Sequence, residues 1–317
     1  MSTNESTEMV TVTNLTKVYK GSVKAVDGVS LTIQKGEVFG LLGPNGAGKT
    51  TTLHMLSTIL KPTSGEAKVN GFDVAKQPGR VRKSIGIVFQ DPSSDELLTG
   101  YENLRMHALL YGVPGSIRRQ RIDEVLDLVD LKDRRNDLLK NYSGGMRRRL
   151  EIARGLLHRP KVLFLDEPTL GLDPQTREHI WEYIEKLVKE EKLTIIITTH
   201  YMDEADRLCD RIAIMDKGAI IVLDTPDELK MSLGGDIVKI KAKTPNLSAL
   251  EALDYVKLVE ADDEEVKLTV DDAGTHNQEI LSVIGKVDSV ELRPPSLSDV
   301  FLKYTGREYR EQGGGGS

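Results

Sequence analysis

Residues 10–230 alternate between short apolar runs and longer segments in which apolar residues recur at helical spacing. The apolar runs have the length of buried strands. This alternation predicts an α/β domain with a largely parallel sheet. The candidate strands are residues 37–43, 84–90, 161–166, 193–200 and 211–216.

The pattern changes between residues 90 and 143, where no candidate strand occurs. Apolar residues there fall on one face of a predicted helix: Ile122, Val125, Leu126 and Val129. Such spacing indicates an amphipathic helix. We therefore predict a helical insertion in the sheet domain over about residues 91–158.

A second domain is predicted after Pro226, over residues 236–306. Its segments read in order as strand, helix, two strands that flank the acidic turn ADDEE, helix and strand. They cover residues 236–243, 247–253, 256–260, 266–270, 276–286 and 287–293. The order βαββαβ predicts a small α+β domain of the ferredoxin-like type. Two prolines then precede a short closing helix, predicted over residues 297–304.

Composition narrows the classes of function. The 317 residues are 39% hydrophobic and 29% charged, as in ordinary globular proteins, and the net charge of -6 gives no reason to expect a nucleic-acid partner. Cys209 is the single cysteine, so an intrachain disulfide is impossible. The polar tail of residues 1–9 has no secretory signal pattern, and no apolar run approaches the ~20 residues of a membrane-spanning helix. The tail of residues 307–317 ends in GGGGS, the composition of an engineered flexible linker.

The segment GPNGAGKT matches the phosphate-loop pattern G-x-x-x-x-G-K-[ST]. It follows a candidate strand and precedes a helix predicted over residues 49–60, whose N-terminus favours anions. We expect Lys49 to reach the β- and γ-phosphates of a nucleotide and Thr50 to hold Mg²⁺. The candidate ATP-binding residues here are Gly43, Pro44, Asn45, Gly46, Ala47, Gly48, Lys49, Thr50 and Thr51.

Polar side chains end three further candidate strands: Gln90, the pair Asp166-Glu167, and His200. Ligands of open α/β sheets bind beyond the carboxyl ends of the strands. Asp166 suits Mg²⁺ coordination through water, and Glu167 suits general-base activation of a water molecule. Gln90 can bind Mg²⁺ or its water ligands, and His200 can donate to the γ-phosphate. Taken alone, the acidic pair fits a solvated strand end equally well, and Gln90 and His200 fit polar strand ends better than ligand sites.

A second candidate anion site lies at residues 142–157, YSGGMRRRLEIARGLL. Ser143 suits the N-cap of a helix, and the N–H groups of Gly144 and Gly145 could bind an anion. The three arginines at residues 147–149 are more typical of a solvated face. The chain thus offers two phosphate-binding helix starts and one phosphate-loop lysine. One solution is a dimer in which each chain completes the site of the other.

Over residues 10–230 the chain resembles the ATPases of the ATP-binding-cassette (ABC) family. The resemblance lies in the SGG motif, LFLDEP, GLD at residues 171–173 and His200. The resemblance implies a phosphate-loop NTPase fold. It also implies that Ser143, Gly144 and Gly145 contact the γ-phosphate held by a second subunit. Asp173 would contact that subunit, and Tyr19 would stack on adenine. Met146 replaces the glutamine of the usual LSGGQ motif and is given no ligand role.

YSGGM, DEPTLGLDP and PSLSDVFLKYTG are similar to the daunorubicin-resistance-type branch of ABC exporters. That likeness implies a homodimer around two Mg-ATP, peripheral on the cytoplasmic face of the cell membrane. A separate permease would dock on the helical insertion, including residues 101–111, and would determine the cargo.

Two other classes of protein fit the sequence less well. ABC ATPases that act on DNA carry a long coiled coil, and translation-linked members generally carry two cassettes; neither feature occurs here. An unrelated phosphate-loop kinase or GTPase would leave SGG and His200 unexplained.

Overall fold

The computed structural model describes residues 8–242, 245–261, 265–285 and 287–306. Of these, residues 8–223 form one compact unit and residues 224–306 a second. Both predicted tails lie outside the described residues, apart from Glu8 and Met9. So does most of the acidic turn, at residues 262–264.

Two sheets form the framework of the first unit. Its described strands are β1 (Glu8–Tyr19), β2 (Val23–Gln34), β3 (Val38–Leu42), β4 (Ser64–Val69), β5 (Phe72–Asp73), β6 (Ile85–Val88), β7 (Val162–Asp166), β8 (Thr194–Thr199), β9 (Arg211–Asp216) and β10 (Ala219–Asp224). The larger sheet has the order β10-β9-β3-β8-β7-β6, with β9, β3, β8, β7 and β6 pairing in parallel.

Strands β3, β7 and β8 are buried along their whole length. Strands covered on both faces read as continuous apolar runs, which is why these segments could be recognised in the sequence. The predicted α/β fold is confirmed. The predicted strands match within one or two residues at each end, and β9 matches at both ends.

The second sheet of this unit, antiparallel with the order β2-β1-β4-β5, was not predicted. Strict alternation of apolar and polar residues is broken in its long strands. The register of β1 against β2 shifts between Val12 and Leu15, and Asn14 takes a positive φ of 48°. Bulges of this kind put buried side chains three residues apart instead of two, which removes the periodic signal.

Helices surround the parallel sheet. The described helices of the first unit are α1 (Lys49–Leu56), α2 (Pro78–Ser84), α3 (Gly100–Leu110), α4 (Gly115–Leu128), α5 (Gly144–Leu156), α6 (Pro174–Glu191) and α7 (Met202–Leu208). Helices α3, α4 and α5 lie between β6 and β7, as the predicted helical insertion requires. Nowhere in the described part of the chain is a helix both long and apolar enough to cross a bilayer.

Helix α1 ends four residues earlier than predicted. Thr58 adopts a positive φ of 67°, and the N–H groups of Ile59 and Leu60 turn back to the carbonyl of His54. A left-handed residue with such reversed bonds is a common helix terminator. Residue 58 is a threonine and not a glycine, so the sequence did not indicate that the helix ends here.

The second unit has the predicted ferredoxin-like arrangement. Its elements are α8 (Pro226–Met231), β11 (Asp236–Lys241), α9 (Leu247–Glu251), β12 (Val256–Ala261), β13 (Glu265–Val270), α10 (Ala273–Ile284), β14 (Ser289–Arg293) and α11 (Leu297–Thr305). The sheet order is β12-β13-β11-β14, and each neighbouring pair is antiparallel. Apolar side chains of the sheet and of α9 and α10 form a core of their own.

A buried ion cluster fixes α11 of this unit. Asp299 is 6% exposed and accepts from Arg293 at 2.6 and 3.0 Å, while Lys267 Nζ lies 3.0 Å away. Burial acts to raise the pKa of Asp299, but these cations and the Ser296 cap outweigh it and hold the pKa well below its usual value.

Replacing Asp299 with asparagine should lower the free energy of unfolding by about 2 kcal/mol at pH 7, because charge-assisted hydrogen bonds are lost. A depressed carboxyl pKa stabilises the fold above the unfolded value of about 3.9, and that contribution is lost as pH falls toward the folded value. The difference in the free energy of unfolding between wild type and variant should therefore become smaller below about pH 4. Urea denaturation at a series of pH values measures it, and a constant gap would contradict the assignment.

Candidate functional site

The phosphate loop follows β3 and leads directly into α1. Gly48, the N-cap of α1, has a φ of 103°, and a Cβ there would lie 2.5 Å from the carbonyl oxygen of Ala25. A residue with a side chain would be strained and would collide with this backbone. Glycine at this position therefore lets the loop lie against β2 with its N–H groups at the helix N-terminus, where anions bind.

The side chain of Lys49 is bonded to the backbone of the phosphate loop. Its Nζ donates to the carbonyls of Gly43 and Pro44 at 2.8 and 3.2 Å and lies 3.5 Å from Oε1 of Glu167. Burial lowers the pKa of Lys49, against the opposing charges of Glu167 and Asp166. These two carbonyl oxygens therefore orient the ammonium group within the loop.

Asp166, at the end of β7, has the oxygen neighbours that a magnesium site needs. The hydroxyls of Thr50 and Thr198 donate to its Oδ1 at 3.0 and 2.5 Å, and His54 Nε2 lies 3.9 Å from Oδ2. Burial lowers the pKa of His54, so its ring does not compete as a cation near neutral pH. Hydroxyl and carboxylate oxygens beside a phosphate loop fit Mg²⁺, which prefers oxygen ligands and retains several waters.

Glu167 is fixed in an unusual backbone conformation. Its φ is 44°, and its N–H donates to the carbonyl and hydroxyl of Thr198 at 3.1 and 3.0 Å. Its Oε2 lies 3.2 Å from Nδ1 of His200. Burial acts to raise the pKa of Glu167, but the interactions with His200 and Lys49 outweigh it and lower the pKa. The carboxylate is therefore ionised and able to accept a proton.

Lys49, Thr50 and Glu167 line one cavity of about 450 Å³ at the carboxyl edge of the parallel sheet, and Asp166 lies next to it, bonded to Thr50. Its lining is Ala25, Asn45, Gly46, Ala47, Gly48, Lys49, Thr50, Thr51, Gln90, Glu167, Leu170 and His200. The sequence predicted most of this lining; Ala25 and Leu170 were not predicted. The cavity joins an anion-binding loop to an ionised carboxylate and an imidazole, a set suited to transfer of a phosphoryl group to water.

The SGG segment lies at a different cavity, of about 450 Å³, between α5 and α6. Ser143 is the predicted N-cap, and its Oγ accepts from the N–H of Met146 at 3.2 Å. A Cβ on Gly145 would lie 2.4 Å from Cγ2 of Thr176, so glycine lets the start of α5 lie close to α6. Ser143 and Gly145 line this second cavity and not the cavity of the phosphate loop.

Comparison with known proteins places this site in a family. A model of the ABC transporter family matches residues 26–170, and a model of the C-terminal domain of DrrA1-3-like ATP-binding proteins matches residues 225–305. The chain is 42% identical to the daunorubicin/doxorubicin resistance ATP-binding protein DrrA of Streptomyces peucetius, over 95% of this chain and 94% of that protein. The chain belongs to the ATP-binding subunits of ABC transporters, in their daunorubicin-resistance-type branch.

Other relatives and solved structures agree with this family. The linearmycin resistance ATP-binding protein LnrL of Bacillus subtilis is 38% identical over 96% of this chain and its whole length. The structure of cbiO1 from Clostridium perfringens, part of the ABC transporter complex cbiONQ, matches with a TM-score of 0.66 and 33% identity over 70% of this chain and 90% of that chain. A dimeric ATP-binding cassette bound to ADP and Pi matches with a TM-score of 0.62 and 31% identity, over 68% and 98%. The chain is therefore an ABC-type ATPase.

The family resemblance implies a ligand contact for Tyr19 and a subunit contact for Asp173. Neither residue lines the cavity of the phosphate loop. Tyr19 ends β1 and is 41% exposed, with Lys17 Nζ 5.5 Å from its ring centre. Asp173 is the exposed N-cap of α6, where its carboxylate accepts from the N–H and hydroxyl of Thr176 at 3.0 and 2.6 Å. Each is accessible to a ligand or partner, and Asp173 also has a role within its own helix.

The prediction of a solvated face for the arginines at residues 147–149 is wrong for Arg148, which is 7% exposed in this ABC ATPase. Thr198, which contacts both Asp166 and Glu167, was also missed. Its sequence signal was weak, because Thr198 is one of three threonines in β8. For Arg148 there was none, since its partners lie 18 to 59 residues away.

Proposed function

We propose that this chain is the ATP-hydrolysing subunit of an exporter, working as a homodimer around two Mg-ATP and driving a separate membrane permease. The observation that carries the proposal is the separation of two cavities within one chain. One contains the phosphate loop, Glu167 and His200; the other contains the SGG helix start. Relatives of this chain are named for resistance to daunorubicin and linearmycin, which supports export of a drug-like compound.

Within the first cavity, backbone N–H groups of the phosphate loop and Lys49 bind the phosphates of ATP. Thr50, Asp166 and Gln90 would hold Mg²⁺ directly or through water, and the ion would neutralise charge on the phosphates. Glu167 accepts a proton from the attacking water, and His200 donates a hydrogen bond to the γ-phosphate. The contacts of Glu167 with Lys49 and His200 hold its carboxylate at the cavity, which supports the role of base.

The second cavity serves the nucleotide of the partner subunit. Ser143, Gly144 and Gly145 present the N-terminus of α5 to the γ-phosphate held by the other chain, and Asp173 contacts that chain. Tyr19 stacks on adenine. A dimeric cassette with ADP and Pi among the structural neighbours supports this arrangement. ATP binds the closed dimer better than the open one, so binding closes the dimer and hydrolysis reopens it.

The permease docks on an apolar face of α3. Met106, Leu109 and Leu110 recur at helical spacing and are 46%, 51% and 75% exposed. Tyr111, just after the helix, is 37% exposed. Grouped exposed apolar side chains mark interaction sites. In this proposal the permease holds the chain at the cytoplasmic face of the membrane. Nucleic acid is not among the proposed partners.

Replacing Leu110 with glutamate should abolish co-purification with the permease from detergent-solubilised membranes, because a charge would be buried in an apolar contact. ATP hydrolysis by the isolated chain should stay within about twofold of wild type. Ile59→Glu, at another apolar residue that is 47% exposed, is the matched control. If Leu110→Glu co-purifies as wild type does, α3 is not the docking face.

Transport itself is tested with the reconstituted pair in vesicles. Mg-ATP supplied on the side of the ATPase should drive a drug such as daunorubicin across the membrane, away from that side. ATP hydrolysis without any such movement, or movement in the opposite direction, would contradict an exporter.

A further inference from the structure

One of the three consecutive arginines of α5 is turned inward and holds the backbone at the end of β7. Nε of Arg148 donates to the carbonyl of Pro168 at 2.6 Å. Its Nη2 donates to the carbonyls of Asp166 and Glu167 at 3.0 and 2.9 Å. A planar guanidinium with five N–H donors can hold several carbonyls in one fixed geometry.

The same guanidinium reaches the segment after β6. Its Nη1 donates to the carbonyl of Phe89 at 2.5 Å and lies 3.5 Å from that of Gln90. Gln90 and Glu167 are side chains of the nucleotide cavity from two different strand ends. Arg148 is thus a single side chain that joins the backbones of both.

The backbone of Glu167 needs such support. A positive φ costs a residue with a side chain roughly 1 kcal/mol or more. Thr198 holds the N–H of Glu167 and Arg148 holds its carbonyl, so the left-handed residue is fixed from both sides. This conformation directs the carboxylate toward Lys49 and His200.

The neighbouring arginines make different contacts. Arg147 pairs with Glu96 and donates to the carbonyl of Tyr142. Arg149 donates to the carbonyl of Val129 and the hydroxyl of Tyr183 at 3.1 and 3.2 Å. Both remain within the helical insertion and α6, away from the strand ends. The triplet therefore provides its own control.

We propose that Arg148 is a positioning residue for ATP hydrolysis, which aligns Glu167 and Gln90 with the Ser143–Gly145 start of α5. The inference rests on the proposed function, in which Glu167 is the base and the start of α5 receives the nucleotide of the partner. Arg148 lies on α5, whose first residues receive the ATP of the partner subunit. Closure of the dimer over that ATP is therefore transmitted through α5 to Glu167, the base at the second ATP site. The arginine touches neither nucleotide.

The test is Arg148→Lys in the full chain. A lysine has one nitrogen at the end of a flexible stem and cannot span both strand ends. We expect kcat for Mg-ATP to fall at least tenfold, while KM and the Kd for ATP stay within about threefold of wild type. Arg147→Lys, whose side chain lines neither cavity, should keep wild-type kcat. Circular dichroism and thermal melting establish that the variants are folded.

Several outcomes would overturn the inference. Wild-type kcat in Arg148→Lys would do so, and so would parallel losses of kcat, ATP affinity and melting temperature, which indicate a purely structural role. If the lysine variant does not fold, Arg148→Gln is measured in the same way. Failure of both to fold makes Arg148 a requirement of the fold and also counts against the proposal.

Glu167→Gln separates this inference from the proposed function. Retained turnover in Glu167→Gln removes the base, and with it this role for Arg148. Loss of turnover in Glu167→Gln together with normal turnover in Arg148→Lys overturns the positioning role alone.

Discussion

Glu167→Gln should lower ATP turnover at least 100-fold and leave the Kd for ATP within about threefold of wild type. General bases contribute about 10²–10⁴ to rate, and an amide cannot accept the proton of the attacking water. The substitution preserves the size of the side chain, so the contacts with Lys49 and His200 lose charge but not packing. Because ATP is bound but not cleaved, the variant should form a dimer on gel filtration when ATP is present.

The measurements are steady-state phosphate release, equilibrium nucleotide binding and gel filtration with and without ATP. Glu191→Gln, which changes an exposed carboxylate of α6, is the control for loss of one negative charge. A rate within a few fold of wild type would remove Glu167 from the mechanism. A variant that stays monomeric when saturated with ATP would contradict the shared-site dimer.

Lys49→Ala should raise the Kd for ATP by roughly 10–150-fold, which corresponds to the 1.5–3 kcal/mol of hydrogen bonds made by a charged group. Lys49 lies within the loop with its ammonium oriented by the carbonyls of Gly43 and Pro44, so the charge is positioned before ATP binds. Titration calorimetry with Mg-ATP measures the change.

The control for Lys49→Ala is Lys161→Ala, an exposed lysine just before β7. Its removal should leave the affinity unchanged, because it precedes the strand and is far along β7 from Asp166. Normal ATP affinity in a folded Lys49→Ala protein would contradict the assignment of the phosphate loop.

Much of the fold could be predicted because its strongest signals are local. The strands of the parallel sheet are short apolar runs, and polar groups follow them at one edge. The order of elements was enough to predict the ferredoxin-like unit, since few topologies accommodate βαββαβ. The cavity residues Lys49, Glu167 and His200 could be predicted for the same reason: each lies in, or just beyond the end of, a recognisable strand or loop.

What could not be predicted depends on partners distant in the sequence. The antiparallel sheet was missed because bulges near Asn14 destroy alternation. Arg148 resembles its neighbours Arg147 and Arg149 in the sequence, and its burial depends on carbonyls from β6 and β7. Thr198 likewise acquires its role only when β8 is placed beside β7.

The pairing of β3 has a consequence for how the polypeptide acquires its binding site during synthesis. Both neighbours of β3 in the sheet, β8 and β9, come more than 150 residues later in the chain. Parallel strands cannot pair until both have been made. The strand that leads into the phosphate loop therefore keeps both edges unpaired until residue 199 has left the ribosome, and one edge unpaired until residue 216 has done so. The antiparallel strands β1 and β2 are adjacent in the chain, so they can pair once both have emerged. In a nascent chain that stops before Thr194, both edges of β3 therefore remain unpaired and open to aggregation, as in the intermediates on which chaperones act.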